Sequence, residues 1–282
     1  MPGNPHTSIR SRQVAARLRE LREQAGLSGA EVAKRMGMSA SKISRIETGN
    51  SGLQIEDVAA LLGLYQVPAS VRDDLLDLVR RSEERGWWTR QPGLPQLWRS
   101  LIDFEAKATR IQNYEALFVP GLLQTAEYTR AIIAGVAPTV SEAELDNLVA
   151  ARMARQAVLT RSRAPQFFAV VDEGALRRPI GQAGVMYRQL QHLLSAAEQP
   201  HVTLRVVPLV AGAHAGLRGP FVILEFTEEP ALVFMENHGT GLFLEEEADL
   251  AAYRVALGNI LHAALAPAAT AELITQLAAE FG

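Results

Sequence analysis

The stretch 28-SGAEVAKRMGMSASKISRIETGN-50 decides the fold of the first part of the chain. Ser28 is followed three residues later by Glu31, which is the pattern of a capping box at a helix start. Gly37 ends this short helix, and Ser39 is placed to cap a second one. Two short helices joined by a tight glycine-containing turn are typical of a helix-turn-helix unit.

Helices this short are marginal in water, so other helices must hold them in place. Apolar residues at helical spacing predict three such helices, at residues 10–24, 54–65 and 69–85. We therefore predict an all-α, five-helix domain over residues 10–85, preceded by a disordered leader at residues 1–9.

Charge is distributed unevenly along the chain. Residues 1–53 hold nine basic and four acidic side chains, a balance of +5, which leaves −8 for the rest of a chain of net charge −3. A basic head on an acidic body is typical of a protein that docks one end on a polyphosphate such as DNA. The alternative is chance clustering, in which the arginines only solvate a helix face.

Composition sets further bounds. With 282 residues, 48% of them hydrophobic, the chain is long enough for about two domains with a sizeable core. The absence of cysteine excludes disulfides, thiolate metal sites and cysteine nucleophiles, and it fits a reducing cytoplasm. No run of about 18 apolar residues predicts a membrane span, and the N-terminus does not read as a secretory signal. We expect a cytoplasmic protein, associated with the nucleoid.

The N-terminal stretch resembles the Cro/cI-type, or xenobiotic-response-element (XRE), class of helix-turn-helix regulators over about residues 10–66. The resemblance is carried by Ala33, Gly37, Ser39, Ile43, Ile46, Glu47 and Gly49. It implies a double-stranded DNA operator, read by the second helix of the pair. The positions that it turns toward the groove are Ala40, Ser41, Lys42, Ser44 and Arg45.

Roles within this set follow from side-chain chemistry. Arg45 and Lys42 are the expected base readers, because both can bond to guanine O6 and N7. Ser28 and Asn50 are expected to hold phosphates before and after the pair, with the helix cap Ser39 also in the DNA-contacting set. No catalytic or metal-binding residue is predicted in this domain.

Two details refine the expectation. In this resemblance Glu47 points back into the domain, toward an arginine of the first helix such as Arg17. Many members place a glutamine directly after the first cap, where it braces the second helix and touches phosphate, but here that position is Gly29. The missing side chain implies modest affinity from one domain, which a homodimer on two half-sites would recover.

Residues 86–99 hold all three tryptophans and several turn-forming residues, and they predict a linker between two domains. Trp87, Trp88 and Trp98 are expected to pack the seam between these domains, or alternatively to line a pocket. The pattern of residues 97–162 is helical, including one helix over 100–116.

Another helix of about twenty residues is predicted to start at Ser141, where Glu144 completes a capping box. It carries four arginines late in its length, which suit the helix macrodipole and need no ligand, although a phosphate- or partner-binding role is the alternative. These are Arg152, Arg155, Arg161 and Arg163.

From residue 165 onward, and not before it, the pattern predicts strands. Five are expected, at residues 166–173, 202–209, 221–226, 231–237 and 241–246, with a hairpin turn at 239–241 and helices between and after them. The predicted fold class is therefore multi-domain: the all-α domain plus a C-terminal α+β domain over 100–282. The latter has a helical subdomain followed by a mixed β-sheet with packed helices.

This second part also resembles a family. Segments such as 170-VVDEGALRRPIG-181 and 202-VTLRVVPLVAGAHAGLRGPFVILEF-226 are similar to the large C-terminal domain, of unassigned function, in many actinobacterial helix-turn-helix regulators. The resemblance covers about residues 86–280. It implies a cytoplasmic transcription regulator, often encoded beside a small partner protein and linked to development or antibiotic production.

Enzyme activity is not expected. Asp172 and Glu173 follow a strand, but His201, His214 and His238 show no metal-ligand spacing. The glycine-rich stretch 211–219 precedes a strand, whereas a phosphate-binding loop precedes a helix, so it is expected to be a mobile loop. No catalytic residue, metal or cofactor is predicted.

Two functions remain open at this point. In one, the chain is a sequence-specific DNA-binding regulator whose C-terminal domain dimerises and senses a small-molecule effector or a partner protein. In the other, the C-terminal domain is an antitoxin-like module that neutralises a small co-encoded partner, and DNA binding serves autoregulation.

Overall fold

The computed structural model describes residues 9–48, 53–83, 96–237 and 240–282. Contacts divide the chain into two compact units, and the division falls between Arg90 and Gln91. The described part of the first unit holds five helices, as predicted. They are α1 (Ile9–Gln24), α2 (Gly29–Met36), α3 (Ala40–Glu47), α4 (Ile55–Leu64) and α5 (Ala69–Glu83).

The core of the first unit comes from residues spaced three or four apart on these helices. Leu18 of α1, Ile43 and Ile46 of α3, Leu61 of α4 and Val79 of α5 are almost completely buried together. Because α2 and α3 have eight residues each, this shared core supplies the stability that such short helices lack alone.

The second unit combines seven helices with one sheet within its described residues. The helices are α6 (Gln96–Lys107), α7 (Ala126–Val136), α8 (Glu142–Arg155), α9 (Glu173–Arg177), α10 (Val185–Ala197), α11 (Glu247–Ala263) and α12 (Pro267–Phe281). The strands are β1 (Arg110–Glu115), β2 (Gln166–Asp172), β3 (Val202–Val207), β4 (Phe221–Glu225), β5 (Leu232–Asn237) and β6 (Thr240–Leu244).

The six strands form a mixed sheet in the order β3-β2-β1-β4-β5-β6. The first three are parallel, with Ile111 of β1 opposite Phe167 of β2, while β4, β5 and β6 join antiparallel. The predicted multi-domain class, with a mixed sheet and packed helices, is therefore confirmed. No single helix in the described ranges is long and apolar enough to span a membrane, whereas α11 and α12 reach that length and composition only as a pair bent by 67°.

Strand β1 corrects two predictions: that residues 100–116 form one helix, and that no strand occurs before residue 165. Helix α6 stops at Lys107, and the chain then enters the middle of the sheet. Ile111 and Tyr114 are fully buried: β2 and β4 pair with this strand on both sides, and Tyr114 packs in one cluster with Leu257 of α11 on a face of the sheet. Apolar residues on both faces of a central strand lack strict alternation, so local spacing also fitted a helix.

Helix α8 is shorter than predicted. It ends at Arg155, and a short 3-10 helix continues to Leu159, so Arg161 and Arg163 lie beyond it. Arg161 instead donates to the carbonyl oxygens of Ala106 and Ala108, at the end of α6. Tertiary bonds to these unpaired carbonyls fix Arg161, rather than the dipole of its own helix.

Two local predictions need adjustment. Trp98, assigned to the linker 86–99, lies in α6, where its indole Nε1 donates to Glu236 at 2.8 Å. Trp87 and Trp88 lie outside the described residues. The hairpin between β5 and β6 is present, but Thr240 and Gly241 belong to β6 rather than to its turn. Residues 238 and 239 fall outside the description.

Candidate DNA-binding surface

The first helix of the pair is set by caps at both ends. The Ser28 hydroxyl accepts from the Glu31 amide at 3.2 Å, while the Glu31 carboxylate accepts from the Ser28 amide at 2.8 Å. At the other end Gly37 has φ 63°, a left-handed conformation that glycine adopts without strain. This backbone reversal lets Ser39 start the next helix two residues later.

Helix α3 presents a polar face to solvent. The Ser39 hydroxyl accepts from the Lys42 amide at 3.1 Å and fixes the first turn, while Ile43 and Ile46 anchor the opposite face in the core. The exposed face holds the predicted groove-facing residues together. Lys42 is partly buried, and the other four are exposed: Ala40, Ser41, Ser44 and Arg45.

The two predicted base readers differ in their surroundings. Lys42 Nζ lies 2.8 and 3.0 Å from the carboxylate oxygens of Asp57 on α4, which ties its charge to the domain. Arg45 is exposed, and no described residue forms a hydrogen bond or ion pair with its guanidinium. Arg45 therefore has the freedom to bond to a base edge, and Lys42 must exchange Asp57 for one.

A buried ion pair connects α3 to α1. Arg22 Nε donates to both carboxylate oxygens of Glu47, at 2.8 and 3.0 Å, and Arg22 Nη1 donates to the Leu27 carbonyl at 2.8 Å. This hydrogen bond to Glu47 raises the pKa of Arg22. The expectation that Glu47 points inward is confirmed, but the suggested partner Arg17 is wrong. Arg17 instead pairs with Glu20, one turn along α1.

Tyr65 completes this network. Its hydroxyl contacts Glu47 at 3.5 Å, and burial raises the pKa of the phenol. Sequence reasoning did not find Tyr65 or Asp57 as supports of α3. A tyrosine at the end of an apolar helix and an acid in the first turn of α4 are the only local signals, and neither identifies a partner.

The predicted phosphate contacts flank the pair. The Ser28 hydroxyl donates to Glu31 at 2.7 Å within the capping box, so a phosphate there would meet the amides of the first turn of α2. Asn50 lies outside the described residues. At Gly29 an added Cβ would meet no atom within 4 Å, so the structure has room for the side chain that the related domains carry.

The strand-end residues considered for catalysis have structural partners. The Asp172 carboxylate caps α9 by accepting from the Gly174 amide at 2.9 Å. The Glu173 carboxylate accepts a hydrogen bond from Arg177 at 2.6 Å, and His214 Nδ1 accepts one from the Gly216 amide at 3.2 Å. His238 lies outside the description. Within the described ranges, no group of three or more His, Asp or Glu side chains is placed to hold a metal ion.

The stretch 211–219 contains regular local structure. Two short 3-10 helices, Leu209–Ala211 and Ala215–Arg218, occupy most of it. The buried Gly216 lies against the Tyr114 ring, where an added Cβ would come within 2.3 Å of a ring carbon. Asn259 of α11 accepts from the Ala215 amide at 2.8 Å and fixes the second 3-10 helix.

Comparison with known families agrees with this division of the chain. Residues 13–75 match a helix-turn-helix domain, which is a DNA-binding fold. Residues 98–276 match a domain of unknown function (DUF5753). Searches of curated proteins and of solved structures found no match. The chain therefore belongs to the family defined by this domain of unknown function, with a helix-turn-helix DNA-binding domain ahead of it.

Proposed function

We propose that the protein is a sequence-specific DNA-binding transcription regulator that contacts its operator through α3. The observation that carries this proposal is the exposed polar face of α3, on which Arg45 has no partner among the described residues. A guanidinium held on a capped helix can bond to guanine O6 and N7 in the major groove. The proposal assigns no catalytic reaction to the chain.

The buried supports of α3 fit this role. A helix reads bases only when its position on the domain is fixed, and the pair between Arg22 and Glu47 fixes the end of α3 that follows the reader Arg45. The Ser39 cap fixes the beginning, because its hydroxyl accepts from the Lys42 amide in the first turn. The net positive charge of residues 1–53 would attract the phosphates.

We also propose that the second unit dimerises the protein and responds to an effector. Support comes from exposed apolar side chains in the segment between β3 and β4: Val210 is 93% exposed, and Leu209 and Leu217 are more than half exposed. Val255 of α11 is exposed one turn before Asn259, which bonds to the same segment. Such a patch suits a second copy of the chain.

The same patch favours a second candidate, the antitoxin-like module that binds a small co-encoded protein. Sedimentation of the full chain, alone and with the partner added, separates the two. A dimer that Leu217→Glu dissociates supports the first, whereas a monomer that loses partner binding with Leu217→Glu supports the second.

The test of DNA recognition is enrichment of duplexes from a random-sequence pool by the full chain. We expect a defined motif with two half-sites, and affinity that falls steeply with salt because phosphate contacts dominate binding. Recovery of no motif, or a flat salt titration, would contradict the proposal.

A further inference from the structure

A cleft of about 610 Å³ opens in the second unit beside α10. The segment between α8 and β2 forms one wall, with Leu159, Arg161 and Arg163, and α10 forms another, with His192 and Ser195. This volume lies in the range of roughly 300–1,000 Å³ that is typical of small-molecule sites. None of the residues discussed for DNA binding lies in this cleft.

The lining of this cleft is basic, although the chain is acidic. Two arginines and two histidines line it, and no aspartate or glutamate does. Burial lowers the pKa of His192, so this histidine adds little positive charge at neutral pH. A neighbouring cavity of about 460 Å³, between α10 and α12, has the opposite character, with Glu198 in its wall and no basic residue. The neighbouring cavity therefore does not share the positive lining of the first cleft.

No carboxylate among the described residues pairs with the two arginines of the cleft. Among the described residues Arg161 bonds only to backbone carbonyls, those of Ala106, Ala108 and Arg163, and burial lowers the pKa of its guanidinium. Arg163 is exposed, and neither arginine has an ion-pair partner in the described part of the chain. Arg161 is thus a partly desolvated cation without a carboxylate, and the exposed Arg163 beside it has none either, so an acidic group at Arg163 gains from both charges.

The cleft also offers polar and apolar contacts at fixed positions. His201 Nε2 donates to the Leu159 carbonyl at 2.8 Å, which leaves Nδ1 for another partner. Ser195 is exposed on α10 at the rim. The floor is apolar, because Leu122, Leu159 and Val202 line it. A ligand with an acidic group and an apolar body would match both parts.

We propose that this cleft binds a small organic anion with an apolar body, its acidic group at Arg163 and its body over Leu122 and Leu159. One part of this inference rests on the proposed function, namely that the cleft is the site at which the effector of the DNA-binding regulator acts. A small molecule fits better than the DNA backbone because the lining is concave and a duplex is too wide to enter a cleft of this size.

Anilinonaphthalene sulfonate is a suitable probe for the full chain, because it joins an acidic group to an apolar body. Its fluorescence increases when it binds in an apolar site that shields it from water. Phenylnaphthylamine, which has the same rings without the sulfonate, is the neutral control. We expect the sulfonate to bind more tightly, decanoate to displace it, and inorganic phosphate at equal concentration to leave it in place.

Two variants place the probe in the cleft. Arg163→Glu should weaken probe binding by about tenfold or more, because a hydrogen bond to a charged group is lost. Ser195→Trp should also weaken it, by filling the rim. Arg178→Glu makes the same charge change at an exposed site outside the cleft and should leave binding unchanged. Circular dichroism and thermal unfolding would verify that each variant folds.

Binding that neither cleft variant changes would overturn the proposal, as would equal affinity for the neutral control or displacement by random-sequence duplex DNA. Operator affinity with and without decanoate is measured separately. If decanoate occupies the cleft but operator affinity does not change, effector control fails and the site stands. If the unliganded chain binds no operator, the proposed function fails while the probe result still decides the site.

Discussion

Replacing Glu47 with leucine tests how firmly α3 is fixed to the first unit. Arg22 and Glu47 are both nearly covered, with 13% and 8% of their side chains exposed. Removing the carboxylate leaves the guanidinium with the Leu27 carbonyl and a contact of 3.5 Å to Glu23. Because the charge is then buried without its main partner, we expect the free energy of unfolding of this unit to fall by about 3–5 kcal/mol.

The double variant Arg22→Met with Glu47→Leu separates the loss of the ion pair from the cost of leaving the Arg22 charge buried without a partner. It replaces both charges with apolar side chains of similar length, so no unpaired charge remains, and most of the lost stability should return. Glu20→Leu is the matched control, because Glu20 forms an exposed pair with Arg17 on the same helix. An exposed pair is worth about 0–1 kcal/mol.

Hydrogen exchange followed by mass spectrometry, on the full chain, reports the first unit without interference from the second. Amides of α1 and α3 should exchange more than about a hundredfold faster in Glu47→Leu, since each 1.4 kcal/mol is about tenfold. The reasoning is refuted if Glu47→Leu exchanges like Glu20→Leu, or if the double variant is as labile as Glu47→Leu alone.

Three other substitutions each test one feature of the structure. Gly29→Gln should stabilise α2 by roughly 0.5–1 kcal/mol and strengthen duplex binding, since a side chain at this position meets no neighbour. Lower stability in thermal melts, or weaker binding in fluorescence anisotropy, would contradict this. Asp57→Asn should release the base reader Lys42 and remove a negative charge, so that binding to duplex DNA strengthens; unchanged or weaker affinity in fluorescence anisotropy would contradict this. Burial raises the pKa of Glu115 to about 7 from 4.5, so its contribution to stability is present below pH 4.5 and is lost as the pH rises through 7. Glu115→Gln should reduce this loss of stability in urea titrations of the second unit at different pH values. A pH profile identical to that of the parent protein would contradict this role of Glu115.

Elements marked by neighbouring residues could be predicted from the sequence. The capping boxes Ser28 with Glu31 and Ser141 with Glu144 are present as expected, because each bond closes within one turn of chain. The buried face of α3 followed equally from the spacing of Ile43 and Ile46.

Features that depend on distant chain segments could not be predicted. Strand β1 pairs with residues 56 positions later in β2 and about 110 positions later in β4, and nothing local signals that both its faces will be covered. The choice between Arg17 and Arg22 as partner of Glu47 depends on how α1 rotates against α3, which the core decides. Lys42 looked free for the same reason, since Asp57 reaches it only after α4 has packed.

The most direct test of the central claim is the affinity of Arg45→Ala for the enriched operator and for unrelated duplex, measured side by side. If α3 reads bases through Arg45, specific binding should weaken by about 1–3 kcal/mol while binding to unrelated duplex persists. Arg35→Ala, an exposed arginine on α2, is the matched control and should leave the ratio of the two affinities unchanged. An Arg45→Ala variant that keeps the ratio of the parent protein would contradict the claim that this helix recognises sequence.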